Sequence, residues 1–306
     1  MVLKGIMAVC VLGPRYYHGK QDEEENKKLL MFIPFNIKKS TIEDICRNGK
    51  YEYDTDEITR NLKANINLEI IKQAFIDGTR LQEEWFPSEF YDSQFKVFIS
   101  HSHSDETTVK QLAGYLEEHY GIRSFIDSLY WGYVNDLQKS LDDYYASYER
   151  EGKKYYDYDT RNFLTANVHI MLSMALMKMM DACECLIFVD SDNSLKYDKG
   201  AKVTPSPWIY EEMGFSNRLR VNIPQRYKDK IKVTLNETRE RSHYCFMMFS
   251  ATESRQAHFN YTVDMRHFKE LFRTDFPIQS IFRGDAILDH WYKKYGVSNL
   301  VNRVIG

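Results

Sequence analysis

Short apolar runs alternate with longer periodic stretches between residues 95 and 219. Val97 to Ile99, Ile122 to Ile126 and Cys185 to Asp190 have the length and the β-branched and aromatic content of buried parallel strands. The stretches between them are long enough for the crossover helices that parallel strands require. This alternation predicts an α/β fold, with helices on both faces of a parallel sheet.

The helix that follows the first strand has signals at both of its ends. Asp105 is placed to cap its amino end, and Gly121 to stop it. Between them, Val109, Leu112 and related apolar positions recur at helical spacing. This segment therefore predicts one strand, helix and strand unit with a right-handed crossover.

Polar segments follow each of the three strands and mark the carboxyl edge of the predicted sheet. They are Ser100 to Asp105, a predicted loop from Ser128 to Gly132, and a predicted loop over 191–206 that leads to a helix beginning at Pro207. Ligands of open α/β sheets bind at this edge. Several of these residues are also ordinary turn and cap residues, so the pattern alone does not assign them a role.

Two segments of contrasting composition, one hydrophilic and one apolar, lie between the second and third strands. Residues 144–162 form a hydrophilic insert with six tyrosines, which predicts a solvated excursion or lid. Thr165 to Met180 follows as a methionine-rich apolar helix. Methionine at helical spacing predicts core packing rather than a cofactor site.

The flanking regions predict additional elements on either side of the main domain. Residues 1–90 are assigned to an accessory region, and 91–306 to the main domain with its insert and a C-terminal extension. The accessory region has a predicted strand at Leu29 to Phe35, a helix at Ile58 to Gln82 and a stop at Pro87. The extension has predicted strands at Ile231 to Val233, Cys245 to Phe249 and Phe259 to Val263, and helices at His267 to Phe272 and Ile287 to Tyr295.

Composition and charge exclude several classes of partner. With 306 residues and a formal charge of −3, the chain has no general electrostatic drive toward nucleic acid or anionic membrane. Five scattered cysteines predict reduced thiols and a cytoplasmic location. The amino terminus lacks a signal-peptide pattern, and charges interrupt the apolar segment from Val168 to Val189, so neither secretion nor a membrane span is predicted.

Histidine and acidic residues cluster directly after the first strand, in the sequence HSHSDE at His101 to Glu106. The segment resembles the HxHxDH metal motif of metallo-β-lactamase-type hydrolases, but Glu106 occupies its sixth position in place of histidine. A further ligand such as His169 would have to come from the methionine-rich helix. We therefore predict no metal here.

Four motifs in sequence resemble the Toll/interleukin-1 receptor (TIR) domain in its bacterial form. They are VFISHSHSD, GIRSFIDSLYWG, MMDACECLIFVDS and SPWIYEE, which span about residues 94–219. The resemblance implies a flavodoxin-like sheet with helices on both faces. The long tyrosine-rich insert and the absence of proline from the second motif depart from the family pattern.

Many TIR domains cleave NAD+ at the nicotinamide–ribose bond with one glutamate that lies four residues after a tryptophan. Counting from Trp208 gives Glu212 as the implied catalytic residue. Its neighbour Glu211 points about 100° away on a helix, so only one of the two can enter a cleft. The resemblance implies that the nucleotide is bound by Ser100, His101, Ser102, Asp127, Trp131, Gly132, Ser206 and Trp208.

The implied activity is NAD+ glycohydrolysis or ADP-ribosyl cyclisation in antiviral defence, by a homo-oligomer or with a partner defence protein. NAD+ is the substrate, and no further cofactor is implied. Two alternatives remain: a non-catalytic TIR scaffold that acts by self-association, and an enzyme similar to nucleoside deoxyribosyltransferases. The sequence does not decide whether water or the adenine ring attacks the ribose.

Overall fold

The computed structural model describes residues 33–54, 95–217, 224, 226 and 260–295. Four sequence predictions lie outside these residues: the helix at Ile58 to Gln82, the stop at Pro87 and the strands at Ile231 to Val233 and Cys245 to Phe249.

The described residues form ten strands and six α-helices. The strands are β1 (Pro34–Lys38), β2 (Val97–Ser100), β3 (Ser124–Ile126), β4 (Ser147–Arg150), β5 (Lys153–Tyr156), β6 (Cys185–Asp190), β7 (Lys196–Asp198), β8 (Ala201–Thr204), β9 (Tyr261–Thr262) and β10 (Lys269–Leu271). The α-helices are α1 (Lys39–Ile45), α2 (Glu106–Tyr120), α3 (Ser128–Leu141), α4 (Tyr158–Ala182), α5 (Pro207–Ser216) and α6 (Asp285–Lys294).

A five-stranded sheet lies at the centre, in the order β10–β1–β6–β2–β3. Each neighbouring pair is parallel. Strands β2 and β3 are buried along their whole length, as is β6 except at Asp190, which explains their nearly continuous apolar sequences. The prediction of a mixed α/β fold with a parallel sheet is confirmed, and β6 has the predicted bounds.

Strand β1 corrects the predicted domain division. It comes from the range 1–90 that the sequence assigned to an accessory region, yet it pairs with β6 on one side and β10 on the other. Phe35 is fully buried and contacts the rings of Trp291 and Tyr292 in α6. The prediction of a separate accessory region is therefore wrong for residues 33–54, because they belong to the central sheet and its core.

Helix α2 ends where the sequence predicted. Gly121 has a φ of 68°, in the left-handed region, and its backbone N–H donates to the carbonyl of Glu117 at 2.8 Å. Glycine adopts this conformation without the steric cost that a Cβ atom would add.

Three segments differ from their predictions. The predicted loop from Ser128 to Gly132 is instead the start of α3, since one glycine is tolerated within a helix. The predicted loop over 191–206 contains the β7–β8 hairpin, which polar side chains concealed in the sequence. The predicted helix at His267 to Phe272 is instead the short edge strand β10, in which only Leu271 is fully buried.

The tyrosine-rich insert contains an antiparallel hairpin, β4–β5. Its two turn residues, Glu151 and Gly152, both have positive φ, at 54° and 70°. This is the backbone of a two-residue hairpin turn that matches the twist of its strands. Tyr148 and Tyr155 stack across the strands with ring centroids 5.8 Å apart, and both residues are about half exposed.

Helix α4 is longer than predicted and, judged only by length and composition, could cross a membrane. Half of its most apolar window is buried within this structure, and core helices of soluble proteins pass the same test. The predicted absence of a membrane span was based on a later window, Val168 to Val189.

Candidate active site

The carboxyl ends of β2 and β3 bring two predicted site residues to one edge of the sheet. Ser100 is the last residue of β2, and Asp127 directly follows β3. The two strands pair in parallel, so both residues reach the same edge. Both are almost completely buried, which requires their polar atoms to find partners inside the protein.

Helix α5 adds the carboxyl group of Glu212 to this edge. Ser206 caps the helix by accepting a hydrogen bond from the backbone N–H of Ile209 at 3.3 Å, and Pro207 occupies the first turn. This start places Glu212 in the second turn, 1% exposed, where its Oε2 accepts a hydrogen bond from Ser100 Oγ. The other oxygen, Oε1, accepts no hydrogen bond from the residues that the structure describes.

His101 joins the cluster through Asp127. Its Nδ1 lies 3.0 Å from Asp127 Oδ1, and its Nε2 lies 3.0 Å from Ser128 Oγ. Burial would lower the pKa of His101, but the charge of Asp127 and a hydrogen bond to it outweigh burial and raise that pKa. Asp127 therefore makes the protonated form of His101 more favourable than burial alone would allow.

The surroundings of Glu212 favour its protonated form. Burial raises the pKa of this carboxyl well above the ordinary value of 4.5, and repulsion by the nearby Asp127 raises it further. The hydrogen bond from Ser100 acts in the opposite direction and is outweighed.

Glu211 has different surroundings, although it precedes Glu212 in the chain. Burial raises its pKa, and a hydrogen bond with the Ser173 side chain, on α4, opposes that shift. Glu211 is directed at α4, whereas Glu212 is directed at the sheet edge. The structure thus separates the two carboxyl groups, as the helical spacing predicts, with Glu212 as the one that meets Ser100.

The other predicted binding residues lie apart from this cluster or outside what can be described. Ser102 precedes a short 3-10 turn, and its side chain makes no capping hydrogen bond. Trp208 is partly buried and meets the ring of His169 edge to face, at 5.3 Å between centroids. Trp131 and Gly132 belong to α3, and their side chains are outside the described part of the structure. Their predicted contacts with a nucleotide stay predictions.

Asp105 has a role that the sequence missed. It was predicted to cap α2, but its side chain makes no capping hydrogen bond. Instead it lies 3.0 Å from Lys39 Nζ, accepts a hydrogen bond from Asn193 Nδ2 at 2.8 Å, and accepts another from Ser191 Oγ. Burial alone would raise the pKa of Asp105, but these partners lower it. The signal in the sequence was the polar Ser191–Asn193 segment directly after β6, at the same sheet edge.

The two histidines of HSHSDE point to different partners. His101 pairs with Asp127, whereas His103 is largely exposed and lies 3.6 Å from Glu106. Within residues 33–54, 95–217 and 260–295, no group of three His, Cys, Asp or Glu side chains is arranged to hold a metal ion.

Comparison of the chain with protein-family models, with curated proteins and with solved structures found no match. Function is therefore inferred from the residues and their geometry.

Proposed function

We propose that this protein cleaves the nicotinamide–ribose bond of NAD+, with Glu212 as its catalytic carboxylate. The observation that supports this most is the place of Glu212, at the carboxyl ends of β2 and β3, bonded to Ser100 and beside Asp127. It combines the tryptophan-plus-four position with the sheet edge at which α/β proteins bind ligands.

The sheet order supports a TIR-type, flavodoxin-like fold. A flavodoxin-like sheet has the order 2-1-3-4-5. Strands β3, β2 and β6 correspond to its first three positions and β10 to its last, while β1 occupies the fourth. We propose a TIR sheet whose fourth position is filled by the N-terminal strand. Its topological switch point lies between β2 and β6, next to Ser100.

A single carboxylate suits this chemistry. The nicotinamide of NAD+ leaves as a neutral molecule from a cationic ring, so its departure needs no acid, unlike that of an ordinary glycoside. A carboxylate about 4 Å from the developing ribose cation, at an effective dielectric near 20, contributes roughly 4 kcal/mol as a gross figure. If all of this acted only in the transition state, it would be worth roughly a thousandfold in rate.

The experiment that tests the proposal is NAD+ consumption by the purified protein at high concentration, with products separated by chromatography. We expect nicotinamide release by the wild type and by Glu211→Gln, and none by Glu212→Gln. Glu211→Gln is the matched control, since it makes the same change one residue away on the same helix. The second product distinguishes ADP-ribose from a cyclic product.

Full activity in a folded Glu212→Gln protein would overturn the assignment of Glu212. If the wild type, assembled and at high concentration, leaves NAD+ intact, the non-catalytic scaffold becomes the better hypothesis. A location in the cytoplasm is proposed from the scattered cysteines, whereas self-association and a role in defence follow from the resemblance alone.

One observation favours a second candidate, cleavage of free nucleosides. The raised pKa of Glu212 favours a carboxyl group that can donate a proton, and a neutral nucleobase needs protonation before it leaves. Assaying nucleosides in parallel with NAD+ separates the two candidates, because the acid is needed only for the nucleoside.

A further inference from the structure

The side chain of His101 is fully buried, although the resemblance implies that it contacts the nucleotide. Its Nδ1 lies 3.0 Å from Asp127 Oδ1, and its Nε2 lies 3.0 Å from Ser128 Oγ. Asp127 and Ser128 are also buried, and they join β3 to α3. Both ring nitrogens, the atoms with which a histidine binds ligands, therefore face groups of the protein itself.

The end of β2 is connected to two different helices. Ser100 donates a hydrogen bond to Glu212 of α5, whereas the next residue, His101, meets Ser128, the first residue of α3. Successive side chains along a strand point in opposite directions, so two neighbours at its end can reach different helices. Because the two residues are adjacent, a shift of His101 would also shift Ser100 and its contact with Glu212.

We propose that His101 is a positioning residue that fixes the end of β2 against the start of α3, so that Ser100 holds the carboxyl group of Glu212 in place. The imidazole ring then makes no contact with the substrate. This inference rests on the proposed function, in which Glu212 is the catalytic carboxylate. Ser128, which was not among the predicted site residues, acts only through the ring of His101.

The partners of His101 define the orientation of its ring. Asp127 Oδ1 is an acceptor, so Nδ1 is the nitrogen that donates, and in the neutral ring Nε2 accepts from the hydroxyl of Ser128. The ring is 0% exposed, so a rotation that broke these contacts would leave its nitrogens without water. His103 differs, because its side chain is 79% exposed and lies 3.6 Å from Glu106.

The first test compares kcat and KM for NAD+ cleavage among variants of the two histidines. His101→Leu removes both contacts and should lower kcat at least about tenfold, with a change of less than about twofold in KM. His101→Asn keeps an N–H donor on the atom that corresponds to Nδ1, so it should recover part of the loss. His103→Leu is the matched control and should behave as the wild type does. A His101→Leu protein with the wild-type kcat and a raised KM would show that the ring binds the nucleotide, which would overturn the proposal.

Ser128 provides a second test, which does not need His101→Leu to fold. Ser128→Ala should lower kcat in the wild-type protein and have no further effect in His101→Asn, which already lacks the ring nitrogen that Ser128 meets. An equal reduction in both backgrounds would mean that Ser128 acts independently of His101, and it would also overturn the proposal.

NMR spectroscopy of the imidazole ring separates this inference from the proposed function, because it needs neither activity nor substrate. The Nδ1–H proton of His101 should exchange slowly with water, and its signal should disappear in His101→Asn and shift in Ser128→Ala. Rapid exchange of this proton in the wild type would overturn the inference, whatever the protein does to NAD+. Slow exchange in a protein that leaves NAD+ intact would overturn the proposed function and leave the connection between β2 and α3 in place.

Discussion

Glu211 and Glu212 differ in what they meet, although their chemistry is identical and they are adjacent in the chain. Glu212 meets the hydroxyl of Ser100 and the carboxyl group of Asp127, whereas Glu211 meets Ser173 on α4. The tryptophan-plus-four count identified Glu212 from the sequence. Its raised pKa could not be predicted, because it depends on burial and on Asp127, which is 85 positions earlier in the chain.

Burial of Glu212 predicts a stability that depends on pH. The folded pKa of Glu212 is above its ordinary value of 4.5, so the folded state holds a proton that the unfolded state has released. This group therefore costs stability as pH rises from about 4.5 to its folded pKa. In thermal unfolding across this range, the Tm of Glu212→Gln relative to the wild type should become more positive as pH rises. A difference that stays constant with pH would contradict the raised pKa.

The partners of Asp105 predict a large cost of removing its carboxylate. Asp105→Ala would leave Lys39, Ser191 and Asn193 without the oxygens that they now contact. We expect a loss of roughly 2–3 kcal/mol in the free energy of unfolding, measured in urea. Asp192→Ala is the control, because Asp192 is exposed in the same loop. Equal effects of the two variants would show that the Asp105 contacts add little.

At the scale of elements, periodicity predicted the buried strands and helices and failed for the exposed ones. β6 is apolar at every position except its last, so its bounds could be predicted from the sequence. β7 is fully exposed and β10 has one fully buried residue, so neither carries an apolar pattern. β7 pairs with the adjacent strand β8, whereas β10 pairs with β1, which is distant in the chain, so local sequence does not encode the pairing of β10.

The β4–β5 turn predicts a substitution that strengthens its hairpin. Glu151 has a positive φ, which costs energy for most residues, whereas asparagine tolerates it and is favoured before glycine in such turns. Glu151→Asn should increase amide hydrogen-exchange protection over residues 147–156, and Gly152→Val should reduce it. The β7–β8 hairpin, with its own Lys199–Gly200 turn, should keep its protection in both variants.

At the scale of the whole molecule, β1 joins the N-terminal part of the chain to the C-terminal part. Its Phe35 packs against Trp291 and Tyr292, and the strand lies between β6 and β10. The sequence did not predict this, because a change in amino-acid composition near residue 90 suggested a domain boundary there. Amino-acid composition is a local property, whereas the place of a strand in a sheet depends on its pairing with residues elsewhere in the chain.

This arrangement predicts that a substitution in the N-terminal part destabilises the whole domain. Phe35→Ala should lower the free energy of unfolding by about 3–5 kcal/mol, as for other large aromatic side chains removed from a core. The loss should be seen equally by probes of β2 and of α6. Phe272→Ala is the control, since that ring is about half exposed. If the main unfolding transition of Phe35→Ala were unchanged, the prediction of a separate accessory region would be supported instead.

Pairing of β1 with late strands also affects how the chain folds as it is synthesised. Ile37 is among the first described residues to leave the ribosome, yet it pairs with Val189 and with Leu271. At about 5–20 residues per second, β1 waits on the order of ten seconds or more for its last neighbour. An apolar strand with free edges is prone to aggregate during such a wait. The sheet is therefore completed only after the segments that carry Ser100, Asp127 and Glu212 have all emerged.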